Sequence, residues 1–310
     1  MSMAKWREQL DSVMRDHCQI DQITKITKGS TMTFKTVLVH LDQSGRCDER
    51  IQLAANIAIS FDAHLIGSAL TGISRHVFNR AEFDLTDPVF AHHRDHLRQH
   101  ARSVLDHFEQ VTASAGVPSV ESRLVDDDAA GGMVLQARYA DLVVLGQFDP
   151  NAAIPGVMST MPELVVINGG RPALIVPHSG QTAFPLQRVL VAWDGGLSAT
   201  RAVSYALPLM QRAVTVDVLV MQTEHPNDVH GDQPGADLAL FLARHNIKAN
   251  VVVRQIKGDA GEALLSIAAD QQSDLIVSGA YGHTRFRELM LGGVTRILLQ
   301  SMTVPVLMAH

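Results

Sequence analysis

The chain repeats itself, and a duplicated pattern limits the possible folds more tightly than any composition value does. Thr36-Val-Leu-Val-His-Leu-Asp42 and Arg188-Val-Leu-Val-Ala-Trp-Asp194 are short apolar runs ending in aspartate, 152 positions apart. Further on, Asp141-Leu-Val-Val-Leu-Gly146 matches Asp274-Leu-Ile-Val-Ser-Gly279, and Pro172-Ala-Leu-Ile-Val-Pro177 matches Pro305-Val-Leu-Met-Ala-His310, both at a spacing of 133. The last third of each half therefore aligns without a gap, and the first half holds 19 extra residues between its second and fourth strands. Three matches in one order imply two copies of one fold.

Inside each copy, apolar runs alternate with amphipathic stretches, the mark of βαβ units and a parallel sheet. Strands are expected near 35–41, 63–70, 119–125, 141–146 and 172–177, and again near 188–193, 214–221, 249–256, 274–279 and 304–309. The fold class is α/β: two tandem doubly wound domains, each a five-stranded parallel sheet of order 3-2-1-4-5. One helix is expected from Ser198, whose hydroxyl would cap it, to Gln211, burying Ala202, Tyr205, Ala206 and Leu209. Another near Gly261 to Gln271 buries Ala263, Leu264, Ile267 and Ala268.

Boundaries follow. Residues 1–33 match neither copy and form an N-terminal extension, either a helix over Lys5–His17 or a disordered segment. Residues 34–178 are the first domain and 186–310 the second, joined by the polar, proline-flanked stretch Pro177 to Pro185. The apolar last strands would make exposed edges, so the halves are expected to pack against each other as a pseudo-dimer, with such edges also a route to a homo-oligomer.

Composition removes several function classes. The 310 residues are 46% hydrophobic and 19% charged, ordinary for a globular chain. A net charge of −6 offers no field for a nucleic-acid backbone. No apolar run reaches the roughly 18 to 20 residues of a membrane span, and the charged N-terminus lacks a signal-peptide core. Cys18 and Cys47 have no metal or redox spacing and read as incidental thiols, so a cytoplasmic location is expected. His92, His96 and His100, with His93 beside them, share helical spacing, but Arg94, Asp95 and Arg98 surround them and no further ligand type is visible. They read as a solvated helix face, and no metal site is assigned.

Ligands of open α/β sheets bind outside the carboxyl ends of the strands, where strand order reverses. In the second copy those ends carry Asp194 and Gly279, and after Gly279 come Gly282, His283, Arg285, Arg287, Gly292 and Gly293, the last two opening a helix. Glycines permit tight turns and close backbone approach, and a helix N-terminus suits a phosphate. The same glycines could equally serve turns alone.

A strand ending in aspartate, followed after the fourth strand by Gly-x2-Gly-x9-Gly, resembles the universal stress protein family, and the duplication is similar to its tandem members. The resemblance spans about residues 34–310, with the glycine motif only in the second copy, and implies an adenine nucleotide alpha hydrolase-like fold. It further implies that Asp194 contacts ribose and base, that Met221 or its neighbour Val220 lines the base pocket, and that Gly279, Gly282, His283, Gly292, Gly293 and Val294 surround the phosphates. ATP or another adenine nucleotide, with or without Mg, is the implied ligand. Gly293 stands where the family has Ser or Thr, and Tyr281 and His283 replace its commoner His and Lys or Arg. In the first copy Asp149, Ser159 and Thr160 fall where Gly282, Gly292 and Gly293 do, and Pro150 and Pro155 stiffen the loop. That copy is expected to be nucleotide-free, with Asp42 a structural or capping carboxylate.

Three functions remain open. The first is a stress-response regulator binding an adenine nucleotide and an unidentified protein partner; the second, a nucleotide-free interaction module. The third, an ATP-hydrolysing enzyme, is opposed by Asp194-Gly-Gly-Leu-Ser198, which reverses the polar order of a Ser-Gly-Gly-x-Asp-Ser pyrophosphate loop. A dehydrogenase would need Gly-x-Gly-x-x-Gly after a strand, which is absent. No nucleophile, base and orienting group come together, so no catalytic residue is assigned and the chain is not read as an enzyme.

Overall fold

The computed structural model describes residues 33–74, 88–151, 159–222, 233–281 and 293–310. The expected extension over residues 1–33 lies outside them, apart from Thr33. Residues 34–310 form one compact unit.

In chain order its first half runs β1 (Thr36–Leu41), α1 (Cys47–Phe61), β2 (His64–Leu70), α2 (Pro88–Ala115), β3 (Val120–Val125), α3 (Ala129–Ala137), β4 (Leu142–Gly146), α4 (Met161–Asn168) and β5 (Ala173–Val176). The second runs β6 (Arg188–Trp193), α5 (Leu197–Met210), β7 (Thr215–Gln222), α6 (Ala236–Arg244), β8 (Ala249–Gln255), α7 (Ala260–Asp270), β9 (Leu275–Gly279), α8 (Gly293–Ser301) and β10 (Val306–Ala309). Each predicted strand is present, within two residues at its ends. The 19-residue excess of the first half lies where α2, with 28 residues, faces the nine of α6.

All ten strands lie in one sheet of order β3-β2-β1-β4-β5-β10-β9-β6-β7-β8. Each half contributes the expected 3-2-1-4-5 order. Pairing is parallel within each half, and the halves meet through antiparallel β5 and β10. Leu174 sits opposite Leu307, its own counterpart 133 residues on, so a pseudo-twofold axis passes through that pair. The apolar last strands are thus interior, and the free edges of the sheet are β3 and β8. An oligomer pairing through β5 or β10 would have to break this junction.

Helices cover both faces. Ile51, Ala54, Ala202, Ala206 and Leu242 bury one face of the sheet, and Met133, Val165, Leu264 and Leu298 bury the other. The parallel strands read as unbroken apolar runs because both their faces are covered. An aspartate recurs at equivalent places. Asp141 accepts the Lys35 and Thr36 N–H groups at 2.7 and 3.0 Å, and Asp274 accepts those of Gln187 and Arg188 at 2.6 and 2.9 Å. Each ties the start of its half's fourth strand to the start of its first.

The joint between halves is held rather than loose. Gln181 N–H donates to the Thr303 carbonyl at 3.1 Å. Gly180 adopts φ +105°, and a Cβ there would fall 2.1 Å from the same carbonyl oxygen. Among the described residues no helix is long and apolar enough to cross a membrane.

Candidate functional site

The switch point of the second half lies between β6 and β9, which pair through Ala192 and Ser278 at their carboxyl ends. Asp194 follows β6 directly and is exposed. Gly195 turns the chain at φ +74°, and Gly196 N–H donates to Asp194 Oδ1 at 2.8 Å. This turn launches α5 two residues earlier than a Ser198 cap would. Gly196 is the capping position, no side chain caps the helix, and Ser198 lies buried within it. The sequence reading of Ser198 is corrected on this point: the aspartate turn, not a hydroxyl, sets the helix start.

Gly279 ends β9 against the opening turn of α5. A Cβ built there would lie 2.4 Å from Ala199 N and 2.7 Å from the Ser198 carbonyl carbon. Strand and helix backbones touch at this point, so the glycine is required by packing. Tyr281 follows in the left-handed region at φ +57°, and its N–H donates to Thr295 Oγ1 at 3.3 Å. Thr295 belongs to α8 and is buried, so this bond ties together the two ends of the glycine-bearing segment. Gly282, His283 and Gly292 lie outside the described residues. Gly293 opens α8 with nothing among the described residues within 4 Å of a would-be Cβ, and Val294 is half-buried against the core beside it. At the end of β7, Val220 is sealed in the core while Met221 is half-buried on the opposite face, so Met221 is the one with surface to offer. The described site residues Asp194, Gly279, Gly293, Val294 and Met221 thus all fall at strand ends or helix starts on the carboxyl side of the sheet.

The first half builds the same place differently. Asp42 accepts Ser44 N–H at 2.9 Å and Arg50 Nη2 at 2.6 Å, while Arg50 Nε donates to the His40 carbonyl at 2.8 Å. Arg50 is 2% exposed, and Gly146 at the end of β4 leaves room for it: a Cβ there would fall 2.2 Å from Nη1. Asp42 is therefore a structural carboxylate, as its place in the first copy predicts. Burial alone would favour its acid form, but the Arg50 guanidinium, His40 and the Ser44 bond outweigh that and hold it well below the carboxylate range. Arg50 was not singled out in the sequence, although a charge on the apolar stripe of α1, where the repeat has Ala202, is a readable signal. Asp149 accepts Asn151 N–H at 2.8 Å and so caps its own turn.

His40 sits 3.5 Å from Asp42 but is neutral near pH 7, and takes up its charge only in the acid range where Asp42 itself titrates. Burial lowers its pKa to about 4, against the upward pull of Asp42 and with the downward push of Arg50. A histidine whose folded pKa lies below its unfolded value of 6.5 makes the unfolded chain bind the proton first. Stability is then full above pH 6.5 and falls between pH 6.5 and 4, by up to about 3 kcal/mol. Asp42, depressed in the fold, adds a further loss below the ordinary carboxylate range. Urea melts at stepped pH should show this slope, and His40→Gln should flatten it above pH 4.5; an unchanged slope would refute the assignment.

On α2, His92, His93, His96 and His100 are exposed. His96 and His100 stack edge to face at 4.3 Å, and His100 Nδ1 meets Gln43 Nε2 at 2.7 Å. Among the described residues no three histidine, cysteine or carboxylate groups converge on a metal position.

A doubly wound sheet with an exposed aspartate and a packing glycine at its switch point belongs to the class of α/β folds that take ligands at strand ends. Residues 185–310, the half that keeps the glycine motif, match the model of the Universal stress protein family. A universal stress protein of Synechocystis sp. is 26% identical over 222 residues, covering 67% of this chain and 71% of its own. Another, from Mycobacterium tuberculosis, is 24% identical over 292 residues, 88% of this chain and 96% of its own. The crystal structure of a universal stress protein from Archaeoglobus fulgidus superposes with a TM-score of 0.62 at 18% identity, covering 88% of this chain and 97% of that one, a likeness of fold. The second half is thus matched by the universal stress protein family model, and the chain as a whole, built of two repeated α/β domains, is similar to universal stress proteins.

Proposed function

We propose that this is a cytoplasmic regulatory protein of the stress response that binds ATP or a related adenine nucleotide through residues 186–310, while residues 34–178 take none. The observation that carries the reading is the contrast between two equivalent carboxylates. Asp194 is exposed, and among the described residues its carboxylate meets only the Gly196 N–H. It is available to ribose hydroxyls beside a helix start and a glycine segment that suit phosphates. Asp42 is spent on Arg50. The chain acts here as a binding protein, with Mg a companion of the nucleotide and a protein partner reading the bound state.

Mass spectrometry of freshly purified protein for bound nucleotide, followed by calorimetric titration with ATP, tests this. One nucleotide per chain is expected. Asp194→Ala removes hydrogen bonds to a charged acceptor, each of about 1.5–3 kcal/mol, and should weaken binding tenfold or more. Gly282→Asp sets a negative charge against the phosphates and should abolish binding. No heat with wild type, or full binding by Gly282→Asp, would sink the proposal. One observation favours the rival reading of a nucleotide-free interaction module: Gly279 is required by its contact with Ala199 whether or not a ligand is present. Wild type without bound or titratable nucleotide would select that reading.

A further inference from the structure

We propose that the first half is a self-liganded copy of the site, closed by Arg50, and that this one side chain decides which half of the molecule is open to an external ligand. The inference rests on the nucleotide reading only in naming the ligand excluded. Three features converge. Arg50 reaches from α1 to the carboxyl ends of both β1 and β4, the position of the switch point, donating to the His40 carbonyl and the Asp42 carboxylate and resting against Gly146. Its guanidinium gives Asp42 what a sugar diol would give Asp194, hydrogen-bond donors, together with a full positive charge. The Asp42 side chain is left only 9% exposed.

Among the described residues of the second half no such group reaches Asp194. In the repeat the counterpart of Arg50 is Ala202, which is fully buried. The two glycines that end the fourth strands are accordingly kept for different reasons. Gly279 lets helix backbone approach, while Gly146 lets a guanidinium nitrogen approach the strand end. A donor group held by the chain itself costs no association entropy, so a ligand would have to displace both the cation and its three-way contact before touching Asp42.

Arg50→Ala in the full chain tests this by chemical rescue. The variant is expected to melt below wild type, and free guanidinium ion at about 20 mM should raise its midpoint by about 3 °C or more, the shift for an ion near ten times its dissociation constant. Sodium chloride and urea at equal concentration should not, and wild type should not respond. A variant melting like wild type, or one responding no differently from wild type to guanidinium, overturns the proposal. If Arg50→Ala fails to fold, folding that depends on guanidinium supports it. Failure to fold with guanidinium present, with Arg50→Lys melting like wild type, counts against it. ATP titration of wild type separates the two proposals: two nucleotides per chain overturns this one, whereas none overturns only the nucleotide reading, because the rescue experiment reads the first half directly.

Discussion

Asp42→Ala is expected to lower unfolding free energy by about 3–5 kcal/mol, because it leaves the buried Arg50 cation uncompensated. Asp194→Ala, at the equivalent position of the repeat, should cost no more than about 1 kcal/mol, the value of its single bond to Gly196. Denaturant unfolding of the two variants side by side measures the difference. Replacing Asp42 and Arg50 together by leucine should recover much of the loss, since an apolar pair of similar volume often matches a buried ion pair. If the two alanine variants proved equally stable, the functional split between the carboxylates would be wrong.

Gly279→Ala should cost about 3 kcal/mol, although it adds one methyl group. The atoms it meets are backbone atoms of Ser198 and Ala199, which cannot swing aside as a side chain would. The helix itself has to move from the strand. Gly293→Ala offers the opposite result in the same motif. Among the described residues nothing lies within 4 Å of its Cβ position, and alanine favours a helix over glycine by roughly 0.5–1 kcal/mol. That variant should unfold at slightly higher denaturant. Equal effects of the two substitutions would remove the packing explanation for Gly279.

The sheet was legible in the sequence because strands buried on both faces are simple apolar runs, and two copies let each check the other. The pairing of the last strands rested on the family resemblance as well as on their apolar edges. Much of what escaped the reading depends on contacts between distant segments. The Asp141 and Asp274 bonds to strand starts about a hundred residues away leave no local signal. Ser198 was read as a cap from its hydroxyl, whereas the Asp194 to Gly196 turn fixed the start of α5. The packing of Gly279 against Ala199 likewise leaves no local signal. Arg50 was visible only by setting it beside Ala202, a comparison that needs the 152-residue spacing carried through the helix. At β7, by contrast, alternation of faces alone separates Val220 from Met221.

The junction of β5 with β10 has a consequence for how the chain is made. β10 follows β5 by 133 residues, so at synthesis rates of about 5–20 residues per second it arrives roughly 7–27 s later. Through that interval a finished first half presents the bare backbone of Ala173–Val176 as a sheet edge. The pseudo-twofold register that sets Leu174 against Leu307 would equally set Leu174 of one nascent chain against Leu174 of its neighbour on the same message. A first half that closes before the second is made would leave, for a period of seconds, an edge that a sister polypeptide could take in place of the chain's own second half.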